Sequence, residues 1–288
     1  HLSIRRQRQM CIRDSIWFGS MTHDRSFFGD GPPTPSAQAY PKVIFLDAVG
    51  TLFGVRDSVG AQYAQILARF GWQGQAKAID RAFFAAFKAA PPCVFPGLTG
   101  GELRAAEYDW WRTIARQTLS TPGTIVLPST PIASDQVASD HVPPDQQESE
   151  QRESEQAIQA FLAIGSESFE AFFQGLFDYF ATAEPWSVYP ETRSTLTHWR
   201  SLGIDLGVIS NFDQRLHPVL WALNLTEYFS SVTLSTEVGA AKPDPRVFMA
   251  ALAKHACRPE QAWHVGDSFE DDYQGARSAG LRAVWLKR

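Results

Sequence analysis

The chain has 288 residues, 44% hydrophobic, with 9 Trp, 7 Tyr and 20 Phe, enough apolar side chain for one large domain or two modest ones. Its net charge is −5, and residues 120–156 alone carry −6, so the remainder is near neutral; a basic nucleic-acid footprint is excluded. Scattered Cys11, Cys93 and Cys257 form no metal or disulfide framework, and no apolar run reaches the about 18 residues of a membrane span. The reading is a soluble, cytoplasmic protein without nucleic-acid or membrane partners.

In chain order, residues 1–40 lack hydrophobic periodicity and the apolar core of a signal peptide. They are expected to be a disordered or artefactual tail. The stretch HLSIRRQRQMCIRDS resembles translated sequencing adapter, with Met21 as the expected start. Residues 42–46 (KVIFL) then read as a buried strand. Helical spacing follows over 58–70, 75–89, 101–118 and 166–181, with aromatic stripes such as Phe83, Phe84, Phe87 and Phe169, Phe172, Phe173, Phe177. Such stripes are ordinarily core, with Trp110 and Trp111 as candidates to face a cleft. Between these helices, residues 120–156 hold five prolines, seven acids and no aromatic residue. They are expected to be a disordered acidic insertion.

Strand-length runs resume at 204–209, 231–234, 262–265 and 282–286, alternating with helical segments at 191–202, 213–223, 245–256 and 271–279. That alternation predicts an α/β fold: a Rossmann-like parallel sheet over 41–57 and 186–288, with a helical cap subdomain inserted over 58–185.

Chemistry-bearing residues fall at the strand ends, where open parallel sheets bind ligands. The first strand runs into Asp47, Gly50 and Thr51; the second into Ser210 and Asn211 at a helix start suited to an anion. Lys242 follows the third in a Pro-rich loop, and Asp267, Asp271 and Asp272 follow the fourth. Three carboxylates within six residues repel unless a cation lies among them, and oxygen-only ligands suit Mg²⁺. Any one motif alone reads as a cap or turn. Four at successive strand ends make a constellation. No P-loop, GxGxxG or paired-His spacing competes with it.

This set resembles the haloacid dehalogenase-like hydrolase superfamily, and the stretches SNFDQRL, KPDPRVF and HVGDSFEDDYQGA are most similar to its rhythmically-expressed-gene-2-like branch. The resemblance implies a phosphatase acting on a small phosphorylated metabolite. Asp47 would be the nucleophile of an aspartyl-phosphate. Lys242 and Ser210, with Asn211 and Thr51, would hold the phosphoryl group. Mg²⁺ would sit on Asp47, Asp267, Asp272 and the Val49 backbone oxygen. Arg56, just past the nucleophile loop, stands where related enzymes place an anion-binding arginine. One position departs from the pattern. Phosphatases of this superfamily carry an acid/base Asp two residues after the nucleophile, where this chain has Val49, and proton transfer is typically worth ~10²–10⁴ in rate. His264 reads as a packed strand histidine rather than a substitute acid. The alternatives are a metal-independent 2-haloacid dehalogenase using the same Asp47, which the acid-rich fourth motif disfavours, and a catalytically weakened phosphate- and Mg²⁺-binding protein. Oligomeric state and substrate identity stay open.

Overall fold

The computed structural model describes residues 40–127, 144–163 and 165–288; the tail expected over 1–40 lies outside the described residues save Tyr40. In chain order come β1 (Val43–Leu46), β2 (Phe53–Val55), α1 (Val59–Arg69), β3 (Gln73–Gly74), α2 (Ala76–Ala89), α3 (Gly100–Leu119), β4 (Ile125–Val126), α4 (Pro144–Leu162) and α5 (Glu167–Tyr179). After these follow β5 (Trp186–Val188), α6 (Thr192–Ser201), β6 (Asp205–Ser210), α7 (Leu216–Ala222), β7 (Ser231–Leu234), α8 (Ser235–Val238) and α9 (Pro245–Lys254). The chain closes with β8 (Ala262–Gly266), α10 (Gly275–Ser278) and β9 (Arg282–Trp285).

Five strands form one parallel sheet in the order β7-β6-β1-β8-β9. All four residues of central β1 are buried, as expected of a strand covered on both faces. Alternation divides them: Ile44 and Leu46 join Leu196 of α6 and Val219 and Leu220 of α7. Val43 and Phe45 pack with Val247, Phe248 and Ala251 of α9. Helix α9 starts cleanly because Asp244 accepts from the Arg246 N–H at 2.9 Å and Pro245 occupies the first turn. Register places the functional edge. Leu46 lies opposite Val208 of β6 and Val265 of β8, so the residues just beyond the three strands emerge side by side.

Helices α1 to α5 build their own apolar cluster, with Ile66, Phe83, Ile114, Phe161, Phe169, Phe172 and Phe173 at its centre. The chain leaves the sheet layer through β2 and returns through β5, and the two pair antiparallel, Phe53 opposite Val188 and Val55 opposite Trp186. Among the described residues no helix is long and apolar enough to cross a membrane.

The disorder expected over 120–156 is corrected at both ends, the part at 128–143 lying outside the described residues. Ile125–Val126 pairs with Gln73–Gly74, and Pro144–Leu162 is helical. The reason is propensity plus an anchor. Glu, Gln, Ala and Arg are good helix formers whatever their charge, and the apolar end of α4 buries Phe161 and Leu162 in the helical cluster. Arg116 of α3 donates to the Leu162 and Ala163 carbonyls, giving two terminal acceptors of that helix a partner.

Candidate active site

Asp47 extends β1 by one residue, its N–H bonded to the Val265 carbonyl at 2.9 Å, and its side chain is buried. Lys242 reaches it from the loop between α8 and α9. The Lys242 ammonium donates to Asp47 Oδ1 at 2.6 Å, to Asp272 Oδ1 at 2.6 Å and to the Ile209 carbonyl at 3.0 Å. The loop is fixed by Asn211, whose amide donates to the Lys242 carbonyl at 2.9 Å and accepts from the Lys242 N–H at 2.8 Å. Asp272 also accepts from His264 Nε2 at 2.9 Å and from the Ser268 N–H at 3.0 Å. Asp267 takes the Thr51 hydroxyl at 3.4 Å. Gly50 (φ 94°) lets the nucleophile loop turn here: a Cβ would come within 2.3 Å of the Asp267 carboxylate.

One ammonium between two carboxylates sets their protonation apart. Burial pushes the Asp47 carboxyl up to about 6, against the attraction of Lys242, and the Asp272 charge adds to the rise. Burial acts the same way on Asp272, but Lys242 and the His264 hydrogen bond outweigh it and hold Asp272 below the usual carboxylate range. Both have the same 2.6 Å contact to Lys242; Asp272 simply has more donors. Of the two, Asp47 takes the proton first. Burial also lowers His264, so it stays neutral. Asp47, Asp267 and Asp272 each offer an oxygen within 4.8 Å of the other two. This hard, oxygen-only donor set fits Mg²⁺.

These groups form one end of a cavity of about 460 Å³. Ser210, Asn211, Ser268 and Asp271 share that polar end, Val49 lies beside them, and the other walls are mostly aromatic, with Val55, Val59, Leu176 and Arg215 among the rings.

The family model for haloacid dehalogenase-like hydrolases matches residues 41–280. The chain belongs to that family. Haloacid dehalogenase-like hydrolase domain-containing protein 3 of Bos taurus is 29% identical over 244 residues, covering 84% of this chain and 80% of the relative. A phosphoserine phosphatase of Thermus thermophilus is 40% identical over 111 residues, 38% of this chain and 45% of that protein. Among solved structures, L-2-haloacid dehalogenase of Xanthobacter autotrophicus superposes with a TM-score of 0.54 at 16% identity, covering 85% of this chain and 77% of that one. That last likeness is one of fold.

In this haloacid dehalogenase-like hydrolase, Asp47, Val49, Ser210, Asn211, Lys242, Asp267 and Asp272 all line the one cavity, and Thr51 touches it through Asp267. Arg56 does not. Its guanidinium donates to the Glu184 and Trp186 carbonyls, each at 3.1 Å, clamping the return segment beside β5. Those carbonyls hold its charge outside the cavity, so the structure does not bring Arg56 to the other expected phosphate-binding residues. Trp111 faces the cavity, whereas Trp110 is tied to the Pro91 carbonyl at 3.0 Å. His264 is fully buried against Phe248, its ring edge-on at 5.3 Å, and lines nothing.

Sequence reasoning missed Arg215, the arginine that does reach the hydrolase's cavity. It is held by Asp213 through two bonds of 2.9 and 2.6 Å and lies over the Phe177 ring at 3.8 Å. The signal was present in SNFDQRL, where an acid and a base two apart follow a strand end. Asp213 in turn accepts from Trp111 Nε1 at 2.5 Å.

Proposed function

We propose that the chain is a Mg²⁺-dependent phosphatase of small phosphorylated metabolites, with the helical insert as a cap over Asp47. The observation that carries this reading is the buried Asp47–Lys242–Asp272 triad with the Asp267 carboxylate beside it. Three carboxylates whose oxygens lie within 4.8 Å of one another, with one ammonium between two of them, repel unless a further cation lies among them. The phosphoserine phosphatase similarity, confined to part of both chains, supports the same chemistry.

In this reading an ionised Asp47 oxygen attacks phosphorus in line, and the P–O ester bond breaks with its electron pair leaving on the alcohol oxygen. Water then attacks the aspartyl-phosphate at phosphorus, the Asp47–P bond breaks, and phosphate departs with Asp47 restored. Lys242 balances charge on Asp47 and the phosphoryl oxygens. Ser210, Asn211 and Thr51 orient that group. Asp47, Asp267, Asp272 and the Val49 carbonyl would hold Mg²⁺, which supplies charge neutralisation at the transferring group. Val49 donates no proton, so departure of a basic alkoxide is slow.

The test is phosphate release from a metabolite panel with Mg²⁺ and with chelator. Release is expected only with Mg²⁺ and is abolished in Asp47→Asn, whose amide cannot attack phosphorus. Undiminished turnover in excess chelator, or by the Asn variant, refutes the reading. The apolar surroundings of Val49 favour a second reading, 2-haloacid dehalogenation by Asp47, for which halide release in chelator is the signature. Binding of phosphate and Mg²⁺ without turnover of any ester would leave a weakened binding protein.

A further inference from the structure

We infer that the leaving group is an aromatic alcohol, so that the reaction of this site is hydrolysis of an aryl phosphate monoester. The inference rests on the phosphatase reading and adds the substrate class. Two independent features of the cavity lead to it.

The first is what surrounds the substrate beyond its phosphoryl group. Away from the polar end the cavity is walled by aromatic rings, among them Phe83, Phe87, Trp111, Phe173, Phe177 and Phe212. Phe87 stacks on Trp111 with ring centroids 6.0 Å apart and planes inclined by 30°. Sugars and polyols need a fan of side-chain donors and acceptors, since each hydroxyl buried without a partner loses its hydrogen bonds to water with nothing in return. This wall carries almost none. Its one cation, Arg215, has its charge balanced by the fully buried Asp213, so it is not free to take a second anionic group. Among the described residues Tyr63 is the exception: it lines the cavity, is buried, and its hydroxyl has no hydrogen-bond partner. One polar substituent on an otherwise apolar ring suits such a wall.

The second feature is the leaving-group chemistry. Every carboxyl lining the cavity belongs to Asp47 or to the turn over 267–272, at the phosphoryl end. The aromatic wall supplies no carboxyl, burial pushes its Tyr63 hydroxyl further up so that it is a poor proton donor, and Val49 stands at the proton donor's place in the nucleophile loop. A phenol has a pKa of about 10, against about 15.7 for water and its aliphatic relatives. Phenoxide therefore leaves with the bond pair and takes its proton from solvent, whereas an alkoxide needs a donor stronger than the buried Tyr63 hydroxyl. Wall and missing acid select the same group.

The experiment compares kcat/KM with Mg²⁺ for phenyl and 1-naphthyl phosphate against hexyl and glycerol phosphate. Alongside, calorimetry measures phenylphosphonate and methylphosphonate binding, which needs no turnover. Aryl esters are expected to exceed hexyl phosphate by ~10²-fold or more. Phenylphosphonate is expected to bind about tenfold tighter than methylphosphonate, and Phe87→Ala, at a half-exposed position, to narrow that gap. Equal use of hexyl and naphthyl esters, preference for glycerol phosphate, or equal phosphonate affinities would overturn the aryl assignment while leaving a phosphatase. Failure to hydrolyse any ester overturns the phosphatase reading and this inference with it.

Discussion

Lys242→Met removes the ammonium shared by Asp47 and Asp272 and keeps the length of the stem. Both carboxylates are buried and each lies 2.6 Å from that nitrogen. Deleting one partner of a buried ionic contact typically costs about 3–5 kcal/mol, because the charges left behind are uncompensated. Protonation relieves this, and the sign follows from the carboxyls. With Lys242 present Asp47 already stands at about 6, above its ordinary 3.8; without it the folded-state value climbs further. A carboxyl whose pKa is higher folded than unfolded loses stability as pH rises through the folded value and regains it on acidification. Between pH 7.5 and 6 the wild type gains little from Asp47, while the variant gains about 1.4 kcal/mol per unit. The deficit should thus narrow by about 2 kcal/mol over that interval. Urea unfolding in chelator at both pH values measures it, and Asp47→Asn in the Lys242→Met background should recover a large part of the loss at pH 7.5. A deficit independent of pH, or one that widens on acidification, would mean that the lysine acts through packing and would refute the charge argument.

Phe161→Ala should destabilise by about 3–5 kcal/mol in the same assay, since the ring is buried between Trp72, Phe169 and Phe172; a change near zero would detach α4 from the helical core. Val49→Asp should raise kcat/KM on alkyl phosphates by part of ~10²–10⁴ and on aryl phosphates far less, and a folded variant with no preferential alkyl gain would contradict the missing-acid account. Arg56→Ala should leave KM for phosphate esters within about twofold while lowering the melting temperature by a few degrees, as two charge-assisted bonds to backbone carbonyls are lost. A large rise in KM with an unchanged melt would return Arg56 to the substrate.

The sheet and its polar edge were legible because both follow local rules. Apolar runs of strand length alternating with helical segments specify parallel pairing, and ligand groups collect where such strands end; Asp47, Ser210 and Asp267 needed nothing more. Arg56 and Arg215 show where the rules stop. Each lies a few residues beyond a strand end, yet one meets the Glu184 and Trp186 carbonyls at the start of β5 and the other a buried aspartate and the ring of Phe177. Asp213 is a near neighbour in the chain, but Phe177 and the carbonyls held by Arg56 lie over 35 residues away. The short pairs β2–β5 and β3–β4 were invisible for the same reason, being two- and three-residue strands that exist only through each other. Helix α4 was hidden differently: low hydrophobicity was read as disorder, although its composition favours helix and its two apolar terminal residues supply the anchor.

Helical period also cannot say which side of an aromatic stripe is core and which faces a cavity. On α2 Phe83 packs in the helical cluster and touches the cavity at 8% exposure, while Phe84 and Phe87, one and four residues on, are 61% and 43% exposed there. Phe169 and Phe172 of α5 are fully buried, yet Phe173 and Phe177 on the same helix line the cavity. Stability alone accounts for Phe169 and Phe172, and Phe83 and Phe173 serve core and cavity wall together; Phe84 and Phe87, left exposed, contribute less to folding and gain their burial only when something apolar enters. Their position is tied to the phosphoryl end through one loop. Residues 210–215 carry Ser210 and Asn211 at the strand end, then bind α3 through Trp111–Asp213 and Glu107–Gln214 and α5 through Arg215 on Phe177. Asp213 and Arg215 thus serve as a neutral bracket between insert and sheet. Their opposite charges cancel, which lets polar joints sit beside an apolar wall without offering a free charge to the substrate.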